Sequence, residues 1–578
     1  MDRWLFSIPS VCKGIIAIIL TGMLILPVEP LKAQSTNAPL DEAYYHWIDR
    51  YEVKSGAIVP ELFTTVKPYK RSAIIAMVDS LQSRYKVFQS AADQFNLTYL
   101  HNDSWEWSRA ESSNSAKPFL KALYRKKSDF YMVDEEDIDL HINPVLYLGA
   151  GKDSRLGETV FTNARGFEIR GMIDKKIGFY TFLTENQARL PLYATEYSSL
   201  YGYNIVPHTG FYKTFKGTGV DYFEARGYID FNISKHIWMQ FGHDRTFIGT
   251  GYRSLIYSDF APPSQFLRAN VKIWKLNYLF QLSRMTANNT GTNVSRYPDK
   301  YMAFHHLSVN IGKKLNLGLF ESVMFSPQDS INGGVFELSY LNPVIFYRAI
   351  EQQNGSADNV ILGLDWKWLI TKGISFYGQF VLDEFVLSNI TSSNGWWGNK
   401  YALQGGIKYI DVAGIQNLDL QLEGNVVRPF TFSHENLFTN YAHFLQPIGH
   451  PMGANFYEIA GIARYQPMPR LSLTLKSSYL RTGRDNVKGT TPDVDWGGDI
   501  NKSYTLREQD YNNKTTQGTD NTIVFADLSA SYMLRHNLFL DFRQTFRNSK
   551  SADNAFDNRT TLTSVALRWN IAARLYDF

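Results

Sequence analysis

The side chains with the most recognisable chemistry are Trp396-Trp397, flanked by Asn394, Gly395 and Asn399. Flat aromatic rings offer apolar faces to a pyranose ring, and neighbouring Arg, Asp or Asn groups can meet its hydroxyls in planar, bidentate form. The same pair would also serve as an aromatic anchor at a membrane interface. Tyr252, Arg253 and Asp259 form a second group at a strand-to-loop junction. Either they contact a ligand, or Arg253 pairs with Asp259 to hold a loop that Gly249 and Gly251 allow to turn closely. Trp496 with Asp493 and Asp495 is a third, sparser cluster whose acids read as solvated loop residues.

A catalytic constellation is missing from the sequence. It contains no His-Glu-x-x-His, no Gly-x-Ser-x-Gly and no Gly-x-x-x-x-Gly-Lys. His305-His306 and Asp383-Glu384 are the doublets that invite a metal or a glycosidase reading. Adjacent strand residues point to opposite faces, whereas the two carboxyls of a glycosidase must face each other across about 5–10 Å. The expectation is therefore a non-enzyme without metal or cofactor. The one cysteine, Cys12, lies in the leader described next, which leaves no thiol chemistry. A net charge of +4 over 578 residues, with no basic block, gives no footing for nucleic acid.

These side chains have to be positioned by a membrane scaffold. Asp2, Arg3 and Lys13 precede an apolar run from Gly14 to Leu26 and then Leu31-Lys32-Ala33. That is the order of a secretory signal peptide, cleaved after Ala33 and too short to span a bilayer. Aromatic residues make up 15% of the chain although its mean hydropathy is only −0.26. A barrel reconciles the two values, because lipid-facing and lumen-facing residues alternate along each strand. Alternation is plain in Leu418, Leu420 and Leu422 against Asp419, Gln421 and Glu423. It recurs in Leu471–Lys476 and Leu538–Thr545. Tight turns near 174, 234, 273, 313, 371, 413, 467 and 535 alternate with long polar segments.

The fold class read from this pattern is all-β membrane: an antiparallel outer-membrane β-barrel of about 18 strands over residues 136–578, with long loops outside. Residues 34–135 form a small helical domain, with helices over 72–81 and 88–107, beneath the periplasmic mouth or as a partial plug. The stretch 334–347 reads as a folded-in loop, with a helix from Asn342-Pro343 to Gln353. Arg226, Arg245, Arg268, Asp365, Glu423, Arg428, Arg543 and Arg568 are lumen charges able to close the bore by salt bridges or to line an open one. Glu321 falls on the lipid-facing parity of Leu315, Leu317 and Leu319. It needs a bulge or a rim position, since a charge near mid-membrane costs about 2 kcal/mol, and less near the rim. Val565, Leu567, Trp569 and Ile571 lead to Phe578 as an amphipathic final strand. Such a strand resembles the insertion signal read by barrel-assembly machinery.

Three separated stretches carry a family resemblance. They are Gly242-His243-Asp244-Arg245 through Tyr257-Ser258-Asp259-Phe260-Ala261-Pro262; Tyr340-Leu341-Asn342-Pro343 with Phe346-Tyr347-Arg348 and Ser356-Ala357-Asp358-Asn359; and Gly378-Gln379-Phe380-Val381-Leu382-Asp383-Glu384-Phe385. In this order they resemble the Wzi family of capsule-assembly outer-membrane proteins, in the flavour of its Bacteroidetes branch, where relatives include gliding-motility surface proteins. The resemblance implies an 18-stranded barrel with a small helical bundle on the periplasmic side. It also implies a lectin-like role in holding capsular polysaccharide, for which the residues read above, Trp396, Trp397, Tyr252, Arg253 and Asp259, are the candidate contacts on their own chemistry. The expected partners are surface polysaccharide, outer-membrane lipid and, during biogenesis, the assembly machinery, for a monomer. A gliding or adhesion component and a diffusion porin for small solutes are the alternatives.

Overall fold

The computed structural model describes residues 35–108, 110–200, 205–287, 297–327, 337–343, 358–384, 386–485 and 494–578. The leader with Cys12 lies outside these residues, as does the helix expected after Pro343. Eighteen strands form one closed antiparallel barrel. In chain order β1 to β9 are Ile138–Asp153, Thr159–Ile173, Ile177–Arg189, Gly219–Asn232, Ile237–Asp244, Ser264–Ile273, Leu276–Thr286, Asp299–Ile311 and Leu315–Phe325. Strands β10 to β18 are Asn359–Thr371, Ile374–Glu384, Lys400–Tyr409, Leu418–Val427, Phe456–Met468, Leu471–Arg484, Thr519–Arg535, Leu538–Ser551 and Asn558–Trp569. Each pairs with its neighbour in sequence, and β18 closes on β1 from Leu562–Asp153 to Trp569–Leu146.

The side-chain period of two sets the two faces. Leu420 and Leu422 are 41% and 54% exposed on the outside, while Asp419 and Glu423 are 3% and 1% exposed in the lumen. The short turns lie at one end, the periplasmic end of an outer-membrane barrel. Asp174 and Lys175 in the β2–β3 turn have φ of 51° and 53°, the positive values that a two-residue hairpin compatible with strand twist requires.

Three helices precede the barrel: α1 (Glu42–Ser55), α2 (Arg71–Ser80) and α3 (Ala91–Asp103). Helix α1 was not anticipated from sequence, because charged Glu42, Asp49, Arg50, Glu52 and Lys54 interrupt any apolar stripe. Those charges face a charged lumen. Asp41 caps α1 by accepting hydrogen bonds from the Ala43 and Tyr44 amides, and Ser90 and Asp93 form a reciprocal capping box on α3. The helices share a core of Tyr45, Ile48, Tyr51, Met77, Leu81 and Leu100, which Met533 of the barrel wall joins. Glu42, at one end of α1, meets Lys476 partway up β15. Gly56, at the other end, abuts Lys372 in the β10–β11 turn. The helix, about 21 Å long at 1.5 Å per residue, therefore stands inside the barrel rather than beneath it.

Two expectations about the wall are corrected. The closing strand ends at Trp569, and residues 570–578 turn back into the lumen, where Phe578 is 4% exposed. Glu321 sits neither at a bulge nor on the rim. It pairs in unbroken register with His305 and Leu362, and it is 1% exposed. A 3-10 turn at Leu338–Leu341 lays Tyr340 on Phe325, with ring centroids 4.9 Å apart, over Ala303 and Val323. Tyr278 donates a hydrogen bond to the Pro343 carbonyl. The stretch 337–343 is thus folded over the outside of β7–β9, not into the bore.

Candidate functional site

The outer aromatic group is built by two loops that hydrogen-bond to each other. The Trp397 amide donates to the Asp510 carbonyl, the Asn512 amide to the Asn394 carbonyl and the Asn513 amide to the Gly395 carbonyl, each at 2.9 Å. Gly395 is required in this arrangement: its φ is 65°, and a Cβ would lie 2.8 Å from the Asn513 nitrogen. Trp396 and Trp397 have ring centroids 5.8 Å apart. Trp397 is fenced by Tyr504 at 4.7 Å and Phe430 at 6.2 Å, with the Arg507 guanidinium over its face at 4.3 Å. It packs the loops together. Among the described residues Trp396 has no aromatic neighbour besides Trp397; it is half-buried, as Trp397 is, with its ring against Gly398, and Asp510, Tyr511 and Asn512 of the adjoining loop are exposed.

Tyr504 and Arg507 are the residues that sequence reading missed. They lie about a hundred positions from Trp397, with no spacing to announce them. Arg428 is also reassigned: instead of lining the lumen it stands just beyond β13 and donates to the Asn399, Asn513 and Trp396 carbonyls at 3.3, 3.2 and 3.5 Å, tying the loops at the outer rim. Asp495, read as solvated, is buried and accepts from the Gly497 amide at 2.7 Å. Burial, with Asp485 nearby, pushes its carboxyl well above the usual carboxylate range. Asp493 lies outside the described residues.

Tyr252 and Arg253 do not join this group. Their loop descends into the bore, where the Glu423 carboxylate accepts from both backbone amides at 2.7 and 3.0 Å and from the Tyr377 hydroxyl at 2.9 Å. Gly251 permits that approach, since a Cβ would come within 2.6 Å of the Arg253 carbonyl and 2.7 Å of Glu423. The Arg253 guanidinium is held by Asp577 at 3.0 Å and Glu458 at 3.3 Å, not by Asp259. Asp259 is exposed and accepts from the Ser258 hydroxyl at 3.4 Å.

Most of the remaining lumen charges are paired. Arg226 and Arg245 each lie 3.3 Å from Glu224, Asp365 is 2.6 Å from His306, and Arg568 is 2.6 Å from Asp541. Arg543 donates to the Arg574 carbonyl at 2.7 Å. Arg268 is held by neutral groups, with Gln281 at 2.9 Å and Gln240 at 3.4 Å. The His305-His306 doublet splits across the wall, His306 inward to Asp365 and His305 outward against Tyr278 and Phe280.

Helix α1 extends this network. Asp49 binds Lys367 at 2.6 Å and also Lys408, Arg50 lies 3.1 Å from Asp419, and Glu42 bridges Arg464 at 2.7 Å and Lys476 at 2.6 Å. Burial alone would raise the Asp49 carboxyl, but the two lysines outweigh it and hold the group far below the usual carboxylate range. Burial, reinforced by Arg464, lowers His46 below the ordinary imidazole value.

Above the charged layer a large apolar cluster occupies the bore. Helix α4 (Leu192–Leu200) contributes Tyr193 and Tyr197, the 245–263 loop contributes Leu255, Ile256 and Phe260, and the 430–454 loop contributes Phe432, Tyr441 and Met452. Phe578 is inserted among them, 4.1 Å from Tyr197 and 5.9 Å from Phe260. Loops expected to stand outside fold in and fill the lumen.

No protein family matches the chain, and no curated protein matches it. Among solved structures, the Escherichia coli outer-membrane protein Wzi is similar over 93% of this chain and 100% of its own, with a TM-score of 0.58 and 14% identity. The chain shares its fold with Wzi. That protein is described as a carbohydrate-binding β-barrel involved in group 1 capsule assembly. Pseudomonas aeruginosa OprD aligns over 74% of this chain and 94% of its own, with a TM-score of 0.40 and 10% identity. OccK8 (OprE) of the same organism covers 74% and 97%, with a TM-score of 0.40 and 11% identity.

Proposed function

We propose that this barrel retains polysaccharide at the cell surface by lectin-like, non-catalytic binding. The carrying observation is the half-buried Trp396 ring on a rigid two-loop platform, with the exposed polar groups of Asp510, Tyr511 and Asn512 beside it. A flat apolar face next to hydrogen-bonding groups, fixed in advance, is what a sugar ring selects. The fold shared with Wzi supports the reading. The loops folded into the lumen weigh against a diffusion pore.

Surface glycan and outer-membrane lipid are the proposed partners of a monomer. The test is binding of the native surface glycan to wild type, to Trp396→Ala and to Trp396→Ala with Trp397→Ala. Loss in the single variant, with the loops intact by protease mapping, supports the platform. Unchanged binding in the double variant removes it. A gene deletion that spares the capsule but abolishes cell spreading would replace retention with a role in gliding or adhesion.

A further inference from the structure

Residues 570–578 are bound in the lumen as a peptide ligand would be. Arg253 donates to the Asp577 carboxylate and also to its carbonyl. Arg543 donates to the Arg574 carbonyl at 2.7 Å, Arg547 to the Phe578 carbonyl at 2.9 Å and the Tyr193 hydroxyl to the Tyr576 carbonyl at 2.8 Å. The Arg574 side chain in turn donates to Tyr222 at 2.9 Å and Asn186 at 2.6 Å. These anchors come from β3, β4, β17, α4 and the 245–263 loop, so the seat exists only once the barrel is closed.

The segment also divides space. Helix α1 packs against the inward faces of β10, β12, β13, β14 and β15. The wall from β15 to β1 is left partly uncovered. Its inward residues there, Ser472, Thr474, Ser529 and Ser531, are too small to fill the gap, and a cavity of about 260 Å³ runs along them from Arg470 at the short-turn end. It stops against Ile571, Ala572 and Ala573. A second cavity of about 80 Å³ lies against Arg574 and Tyr576 and is also lined by Gly151, Val160 and, just past the outer end of β3, Leu190. Asp541, Arg543 and Leu575 border both.

We infer that residues 571–578 are a built-in stopper, a partition that interrupts a conduit along the inner wall of β15–β18 and β1. With the segment seated, the barrel is closed to hydrated ions and small polar solutes. With it released, the two cavities join.

The test compares the full chain with a chain shortened after Asn570 in planar bilayers, with heat-modifiable migration as the check on barrel formation. The full chain is expected to be silent and the shortened, folded barrel to show a steady conductance. A folded shortened barrel that stays silent overturns the inference. If the shortened chain does not assemble, the full chain carries the test as Ala572→Cys in a Cys12→Ser background. A membrane-impermeant maleimide should then label permeabilised cells and leave intact cells at least tenfold less labelled. Arg547→Gln should narrow that difference. Equal labelling of intact and permeabilised cells in the parent overturns the stopper.

Discussion

Replacing Lys367 with Met removes the ammonium that fastens α1 to β10. The Lys367 side chain is 2% exposed, donates to Asp49 at 2.6 Å and to Thr64 at 3.2 Å, and also binds Glu52. Asp49 keeps Lys408, so the loss falls on Glu52. One Glu52 oxygen would retain only the Thr64 hydroxyl at 2.8 Å, and the other has no hydrogen bond among the described residues. Removing one partner of a buried ion pair costs about 3–5 kcal/mol, because the other charge stays behind without compensation. The surviving Lys408 contact places this case at the lower end, about 3 kcal/mol. At about 1.4 kcal/mol per factor of ten, opening of α1 should become roughly a hundredfold more frequent. Hydrogen exchange of the 42–55 peptide in detergent micelles reads that opening directly, with β11 amides as the reference. Lys367→Met combined with Glu52→Gln should recover most of the protection. The reasoning fails if the single variant exchanges within threefold of wild type, or if β11 accelerates equally, which would mean global loosening.

The same helix should respond to pH. Asp49 has a depressed folded pKa, so its contribution is present above its unfolded value of about 3.9 and is lost as pH falls below it. His46, also depressed, contributes fully above its unfolded value of about 6.5 and loses that contribution as the pH drops further. Protection of α1 should be flat above pH 7, decline below about 6.5 and fall steeply under pH 4; a rise on acidification would contradict the assigned signs. Gly395→Ala places a β-carbon 2.8 Å from the Asn513 nitrogen at φ 65° and should cost about 1–2 kcal/mol, seen as faster proteolysis within 386–399. Unaltered cleavage would show that the loops are not stitched there. Trp397→Ala should loosen both loops through lost contact with Tyr504, Phe430 and Arg507, whereas Trp396→Ala should leave protease resistance intact. Equal effects of the two would erase the distinction between support and platform.

Much of the barrel was legible because its signal is local. Leu420 and Leu422 against Asp419 and Glu423 need only the period of two, and the short turns need only a few residues each. The candidate site was legible only as pieces. Trp396-Trp397 stands out by composition, but nothing in the chain says that Tyr504 and Arg507 pack against the ring of Trp397. Arg253 looked like a partner for Asp259 because the two are six residues apart. Folding brings Glu458 and Asp577 closer, and a buried guanidinium settles on the carboxylates that share its desolvated site. Phe578 shows the same limit in a strand pattern. The alternation through Val565, Leu567 and Trp569 continues formally to Ile571, yet the ladder on β1 ends at Leu146, and residues without a partner strand follow the arginines inward.

What the sequence determined by itself was the class of solution: alternating faces, short turns at one end, long segments at the other, and charges on the inward parity. Those are consequences of neighbouring residues along one chain and of a bilayer that accepts only closed hydrogen-bonded structures. What the tertiary structure decided was the content of the bore and the surroundings of each exceptional residue. Glu321 is buried on the outward parity without a bulge, α1 is stable without an apolar stripe because the lumen supplies counter-charges, and the lumen is filled because three loops and the 570–578 segment fold into it. Each depends on which remote atoms arrive within a few ångströms, and periodicity carries no information about that.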